Sequence, residues 1–264
     1  MSETPLEHAL ERKVLIRATR TTVFRFFTDP ARFADWWGPG SRIEARPGGA
    51  VHIRYPNGAI ASGTVLEVEE ERRIVFTYGY EGEGKPIAPG GSRVTVTLRD
   101  EPGGTLVELR HEIADAATRD EHVQGWRYQL ALFAVAASRD QHRDAAALID
   151  RYFALWREAD AAARAAALAA LTTGDVAFRD PFGCTSGRDD LVAHVAAARM
   201  HMPGVELRRR GEVRQCQGTA LCDWEASGPD GAARGIGTTV FDLAPDGRIA
   251  RITGFWGPPG SPPG

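Results

Sequence analysis

The chain has 264 residues, 43% of them hydrophobic, and a formal net charge of -3, enough to fill a core in each of two domains of ordinary size. With so mild a charge and no dominant basic stripe, nucleic acid is not an expected partner, and Arg208-Arg209-Arg210 reads as a solvated strand edge. No run approaches the roughly 18 apolar residues of a membrane span, and Met1–His8 is polar and acidic, so the expected setting is the cytoplasm, with no membrane partner.

Along the first half, Arg12–Ala18 alternates as a strand, and Thr22–Phe27 is a short helix with a threonine cap that Asp29-Pro30 ends. After Phe33, Trp36, Trp37, Gly38 and Pro39 come strand-like runs at Ile43–Arg46, Val51–Tyr55, Ile60–Val68, Ile74–Tyr80, Arg93–Leu98 and Leu106–Glu112. Turn signals such as Pro47-Gly48-Gly49, Pro56-Asn57-Gly58 and Pro102-Gly103-Gly104 separate them. From Arg119 to Ala137 the residues Val123, Trp126, Leu130, Phe133, Ala134 and Ala137 make one apolar helical stripe. An antiparallel sheet packed against one long helix leaves a cavity when the sheet is strongly curved. Trp36, Trp37, Tyr78, Tyr80 and Trp126 are candidates to line it, and ordinary core is the other reading of these aromatics. His111 shares the apolar face of Val107 and Leu109, whereas His52 lies on the face opposite Val51 and Ile53. His111 is thus either a hydrogen-bonded core residue or a ligand contact.

The junction Ser138–Asp144 carries no Gly or Pro, so the long helix runs on or breaks only briefly before a helix at Ala145–Glu158 bearing Leu148, Tyr152, Leu155 and Trp156. The alanine-rich Asp160–Leu171 reads as helix. A short strand then ends in an acid, with Val176, Phe178 and Asp180 on one face and Pro181 locking the turn. An acid that continues a buried line is costly, so it lies at a cavity mouth, accepts hydrogen bonds from its own turn, or serves proton transfer. Gly183 and Gly187 turn the chain, and Arg188–Arg199 is a helix with Leu191, Val192, Val195 and Ala198 on one side. Strands follow at Val205–Gln217, Thr219–Ser227, Arg234–Leu243 and Arg248–Trp256, with hairpins at Pro229-Asp230-Gly231 and Pro245-Asp246-Gly247. The tail GPPGSPPG reads as disordered. Cys184, Cys216 and Cys222 are odd in number and lack C-x-x-C spacing, which predicts thiols and neither a disulfide framework nor a zinc site. No metal and no cofactor is expected.

Two resemblances sharpen these readings. WWGPG, the RPGG before Val51, the strand TVLEVEEERRIVFTY and the helix HVQGWRYQLALF resemble the heat-shock-ATPase-activator-homologue branch of the START-like (polyketide cyclase/lipid transport) superfamily. That implies a helix-grip fold and an apolar ligand, without a shared catalytic set. VAFRDPFGCTSGRDDLVAHV, with Leu148-Ile149-Asp150-Arg151-Tyr152 upstream, resembles the ketosteroid isomerase branch of the SnoaL-like (nuclear-transport-factor-two-like) superfamily over roughly residues 143–257. By that resemblance Asp180 is the general base and Tyr152 the donor to the substrate oxygen. The family's second donor, a protonated acid, falls on Thr239 when F-D-L-x-x-D-G and F-W-G are aligned, and of the histidine and aspartate that a SnoaL-type cyclase carries on its later strands, Thr219–Ser227 offers only Asp223.

The expectation is therefore an α+β chain: a START-like helix-grip domain over residues 1–140, a cone-shaped SnoaL-like domain over 141–257, and a tail, 258–264. Each domain would hold a small, largely apolar, polycyclic or polyketide-like molecule. Expected contacts are Trp36, Trp37, Tyr78, His111 and Trp126 in the first domain and Phe178, Asp223 and Thr239 in the second, around catalytic Asp180 and Tyr152. Competing readings are a non-catalytic carrier of hydrophobic metabolites and a co-chaperone-like interaction protein. A homodimer through the C-terminal sheet is the expected assembly.

Overall fold

The computed structural model describes residues 5–257, so the tail expected to be disordered lies outside the described residues. The chain divides into two compact units, Met1–Gln141 and His142–Gly264. Among the described residues no helix is long and apolar enough to cross a membrane.

Unit 1 runs β1 (His8–Ile16), α1 (Arg20–Thr28), α2 (Pro30–Trp37), β2 (Arg42–Ile43), β3 (Ala50–Arg54), β4 (Ile60–Glu69), β5 (Arg73–Tyr80), β6 (Ser92–Glu101), β7 (Gly104–Ile113) and α3 (Ala116–Gln141). Its strands form one antiparallel sheet in the order β1-β7-β6-β5-β4-β3-β2. α3 lays Trp126, Leu130, Phe133, Ala134 and Ala137 into the core, the helix-grip arrangement expected. α2 was not expected. Asp29 does close α1, but its Oδ1 then accepts from the amides of Ala31 and Arg32 at 2.9 and 3.3 Å, and Pro30 supplies the pre-set first helical residue. The strand expected at Ile43–Arg46 stops at Ile43, because the chain curls between Glu44 and Gly49 through bonds from Arg46 N to Glu44 O and from Gly49 N to Arg46 O. A Cβ at Gly49 would stand 2.1 Å from the Glu44 oxygen, so only glycine fits this curl.

Unit 2 runs α4 (Ala145–Ala154), α5 (Ala161–Leu171), β8 (Thr172–Asp180), β9 (Gly183–Ser186), α6 (Arg188–His201), β10 (Glu206–Cys216), β11 (Thr219–Ser227), β12 (Ala233–Leu243) and β13 (Ile249–Gly257). The sheet order is β10-β11-β12-β13-β8-β9, antiparallel except for the parallel pair of β13 and β8. The glycines after Asp180 do more than turn the chain: β9 pairs back on β8, with Asp180 opposite Gly183 and Phe178 opposite Thr185. α4 is shorter than expected. After Ala154 the bonds become Leu155 N to Tyr152 O, Trp156 N to Phe153 O and Arg157 N to Ala154 O, a tightened last turn that re-aims Trp156. The arginine run is more than a solvated edge, since Arg209 grips both Asp150 oxygens at 2.8 Å and holds that carboxyl below its usual range.

Candidate functional site

In unit 1 a cavity of about 90 Å³ is bordered by Trp37, Tyr55, Tyr78, Tyr80, His122, Gly125, Trp126 and Gln129. It is smaller than the roughly 300–1,000 Å³ of typical small-molecule sites, because aromatic rings fill much of the space between sheet and helix. Trp36 belongs to that filling: its ring stacks 4.7 Å from Phe133 and 4.4 Å from Trp37, and it does not border the cavity, a correction to its expected role as a contact. The wall is polar as well as aromatic. The hydroxyls of Tyr55 and Tyr78 share a 2.6 Å hydrogen bond, and burial raises both phenol pKa values, so both stay protonated. His122 Nδ1 lies 2.7 Å from the Thr118 carbonyl, which can only accept. Nδ1 therefore carries the proton, and Nε2 accepts from the Tyr80 hydroxyl at 3.3 Å. The Trp37 Nε1 is buried and has no hydrogen-bond partner among the described residues.

His111 stands behind this wall and does not border the cavity. Trp126 Nε1 donates to its Nδ1 at 2.9 Å. The proton is thus on Nε2, 2.8 Å from Ser92 Oγ, and Ser92 passes its own hydrogen to the Tyr78 carbonyl at 2.7 Å. Burial, with a smaller contribution from His122, pushes the imidazole pKa down to about 3. A neutral ring with both nitrogens engaged braces β6, β7 and α3, the hydrogen-bonded core reading of this residue.

In unit 2, Asp180 ends β8 with Val176 and Phe178 buried before it. Its Oδ1 accepts from the Phe182 amide at 2.8 Å, the turn-capping role open to an Asp before Pro. Gly183 lets this turn lie against α6, since a Cβ there would stand 2.3 Å from the His194 ring. Capping does not take Asp180 away from the interior. A cavity of about 30 Å³ is bordered by Asp180, Tyr152, Trp156, Phe178, Trp224, Thr239 and Trp256, among others. The structure thus brings together Asp180, Tyr152, Phe178 and Thr239.

Tyr152 is fully buried on α4, its ring 5.4 Å from Phe241 and 5.7 Å from Phe153. Burial raises its hydroxyl pKa, the Trp156 indole N–H pulls it back, and the Asp180 charge adds to the rise. The phenol remains a neutral donor at any physiological pH. Thr239 is also buried, and its Oγ1 accepts from Trp224 Nε1 at 2.9 Å. Asp223 does not join them. On β11 the residues Ala220, Cys222, Trp224 and Ala226 are buried while Asp223 alternates to the other face, where its Oδ1 accepts from Thr238 Oγ1 at 2.6 Å. Strand alternation therefore corrects its expected place as a contact. Cys222, on the buried face, has its thiol pKa pushed up to about 12 by burial and remains a thiol.

Outside the small cavity lies an open depression of about 300 Å³ bordered by Arg179, Asp180, Pro181, Thr253, Gly254, Phe255 and Trp256. Asp180, Gly254 and Trp256 border both spaces, and the Trp256 ring stands between Trp224 at 4.6 Å and the exposed Phe182 at 5.2 Å. Sequence reasoning singled out neither Trp256 nor Tyr55, His122 and Gln129 as contacts. Among the described residues no group of three or more His, Cys, Asp or Glu could hold a metal ion.

Comparison with known proteins agrees with this division. Residues 17–137 match the family model of the activator of Hsp90 ATPase homolog 1-like proteins, and residues 149–252 match that of the SnoaL-like domain. A comparison with curated proteins returns no significant match. Among solved structures, a candidate isomerase of the SnoaL-like family from Agrobacterium tumefaciens is 26% identical over 45% of this chain and 98% of its own, with a TM-score of 0.42. An Hsp90-activator-homologue-like protein from Rhizobium etli is 26% identical over 52% of this chain and 86% of its own, with a TM-score of 0.41. CalU16 from Micromonospora echinospora is 27% identical over 51% and 78%, with a TM-score of 0.39.

Proposed function

As a chain that joins an Hsp90-ATPase-activator-homologue-like domain to a SnoaL-like domain, this protein, we propose, binds apolar carbonyl compounds in unit 2 and moves a proton on carbon next to the carbonyl. One observation carries the reading: Asp180 and Tyr152 border the same cavity. The Asp180 carboxylate takes the α-proton, the C–H pair becomes the new C=C bond, and the carbonyl π pair moves onto oxygen. There the protonated Tyr152 hydroxyl donates a hydrogen bond to the developing charge. Asp180, now a neutral acid, returns the proton to carbon as the carbonyl re-forms. The turn bond from Phe182 fixes the carboxylate plane, and Asp180 Oδ2 accepts no hydrogen bond among the described residues. The inner cavity fits only the reacting end of a ligand, so a polyketide-like body lies in the open depression that Asp180 and Trp256 also border. A crystal soaked with a small enone tests this pose. The oxygen should sit within hydrogen-bond reach of Tyr152 with the α-carbon beside Asp180, and an oxygen turned away from Tyr152 refutes it.

Unit 1 supports a second reading, binding without turnover. Its cavity is bordered by Trp37, whose buried N–H has no partner among the described residues, and by tyrosines that stay protonated, which suits a small aromatic molecule carrying a hydrogen-bond acceptor. Such a molecule should quench tryptophan emission in the wild type and bind more weakly to Trp37→Phe. Equal binding by both would remove this reading.

A further inference from the structure

Buried indole N–H groups normally find an acceptor, and leaving one unpaired costs about 1–3 kcal/mol. Trp126 and Trp224 obey this, donating to His111 and Thr239. Among the described residues Trp36, Trp37 and Trp156 do not, and of these three Trp156 alone borders the unit 2 cavity, where it is 9% exposed. Its place is held firmly. The tightened turn after Ala154 sets the backbone, Arg199 Nη1 donates to the Trp156 carbonyl at 2.8 Å, and the indole packs 6.4 Å from Tyr152 and 6.5 Å from Phe178. The N–H lies on the Tyr152 hydroxyl oxygen's side, close enough to lower the phenol pKa as a weak hydrogen-bond donor would, yet it does not reach full hydrogen-bond geometry with any described residue. Two residues that carry donors thus border a space of about 30 Å³, room for one oxygen-sized group. Thr239 borders the same space, and because its oxygen accepts from Trp224 its own hydrogen remains available to donate as well.

We propose that the Trp156 indole N–H is a second donor, beside the Tyr152 hydroxyl, to the oxygen of a carbonyl ligand in this cavity. The inference rests on the proton-transfer reading for the choice of ligand, but the two can fail separately. A donor pair selects ligands that present a carbonyl oxygen at the buried end over hydrocarbons of the same shape, whose binding would leave both hydrogens unpaired.

The test uses the full chain with ¹⁵N-labelled indoles, whose six tryptophans give six side-chain N–H signals. Trp156 is assigned through Trp156→Phe or, if that variant does not fold, by through-bond connectivity. Titration with 2-cyclohexenone should move the Trp156 proton downfield, while cyclohexene should leave it in place. In a folded Trp156→Phe, affinity for the ketone should fall about tenfold and affinity for the hydrocarbon should hold. A Trp156 signal that stays put with the ketone, moves equally with both probes, or meets no ketone binding at all overturns the proposal. Proton exchange that depends on Asp180 without a Trp156 shift sinks this inference and spares the reaction. A shift without exchange does the reverse.

Discussion

Asp180 at the end of β8 and Tyr152 in the last full turn of α4 border one cavity, and the Asp180 carboxylate reinforces the effect of burial in keeping the Tyr152 phenol protonated. Base and donor are therefore coupled before any ligand arrives. A carboxylate that must be charged to accept a proton favours a neighbour that must stay neutral to donate one.

Tyr152→Phe separates the donor from the packing. The ring contacts with Phe153, Trp156 and Phe241 survive the change, so stability should move by no more than about 1 kcal/mol. Turnover should fall by up to about 10²-fold. Urea unfolding beside steady-state rates checks both. A large stability loss with turnover intact would make Tyr152 a core residue alone.

His111 should impose a pH dependence on the stability of unit 1. Its folded pKa, about 3, lies below the ordinary 6.5, so between these values the unfolded chain binds a proton that the folded one does not. The stabilisation is complete above pH 6.5 and drains away as pH falls, by at most about 1.4 kcal/mol per pH unit. His111→Gln, which cannot titrate, should flatten the curve between pH 7.5 and 5. Identical slopes in wild type and variant would contradict this.

Gly183→Ala should disturb the site from behind. A methyl at this position meets the His194 ring at 2.3 Å, forcing α6 or the turn that holds Asp180 to shift, at about 1–3 kcal/mol. Thermal unfolding and ligand affinity should both change. An unperturbed variant would show that His194 simply rotates aside.

Much of this was readable in the sequence because period and punctuation carried it. The alternation Val176, Phe178, Asp180 before Pro181 located the acid, and the stripe Trp126, Leu130, Phe133 located the helix that grips the first sheet. Local signals with two meanings were harder. Asp29-Pro30 closes α1 and also opens α2, and the sequence alone suggested only the ending. Asp223 sits between Cys222 and Trp224, and only the pairing with Thr238 reveals that it faces away from the cavity. Trp156 falls on the buried stripe of a helical pattern and reads as core. What marks it is an unpaired N–H beside the unit 2 cavity, a property of the folded surroundings. Tyr55 and His122 meet Tyr78 and Tyr80 only once β3, β5 and α3 are packed.

The most direct test of the central claim is exchange of α-protons from a panel of enones and β-keto compounds in deuterated buffer, comparing wild type with Asp180→Asn. The amide keeps the size of the side chain and can still accept from the Phe182 N–H, but it cannot take a proton. Exchange by the variant should drop about 10²-fold or more while ligand affinity holds. Equal exchange by the two proteins would contradict the assignment of Asp180 as the base and leave a ligand-binding protein.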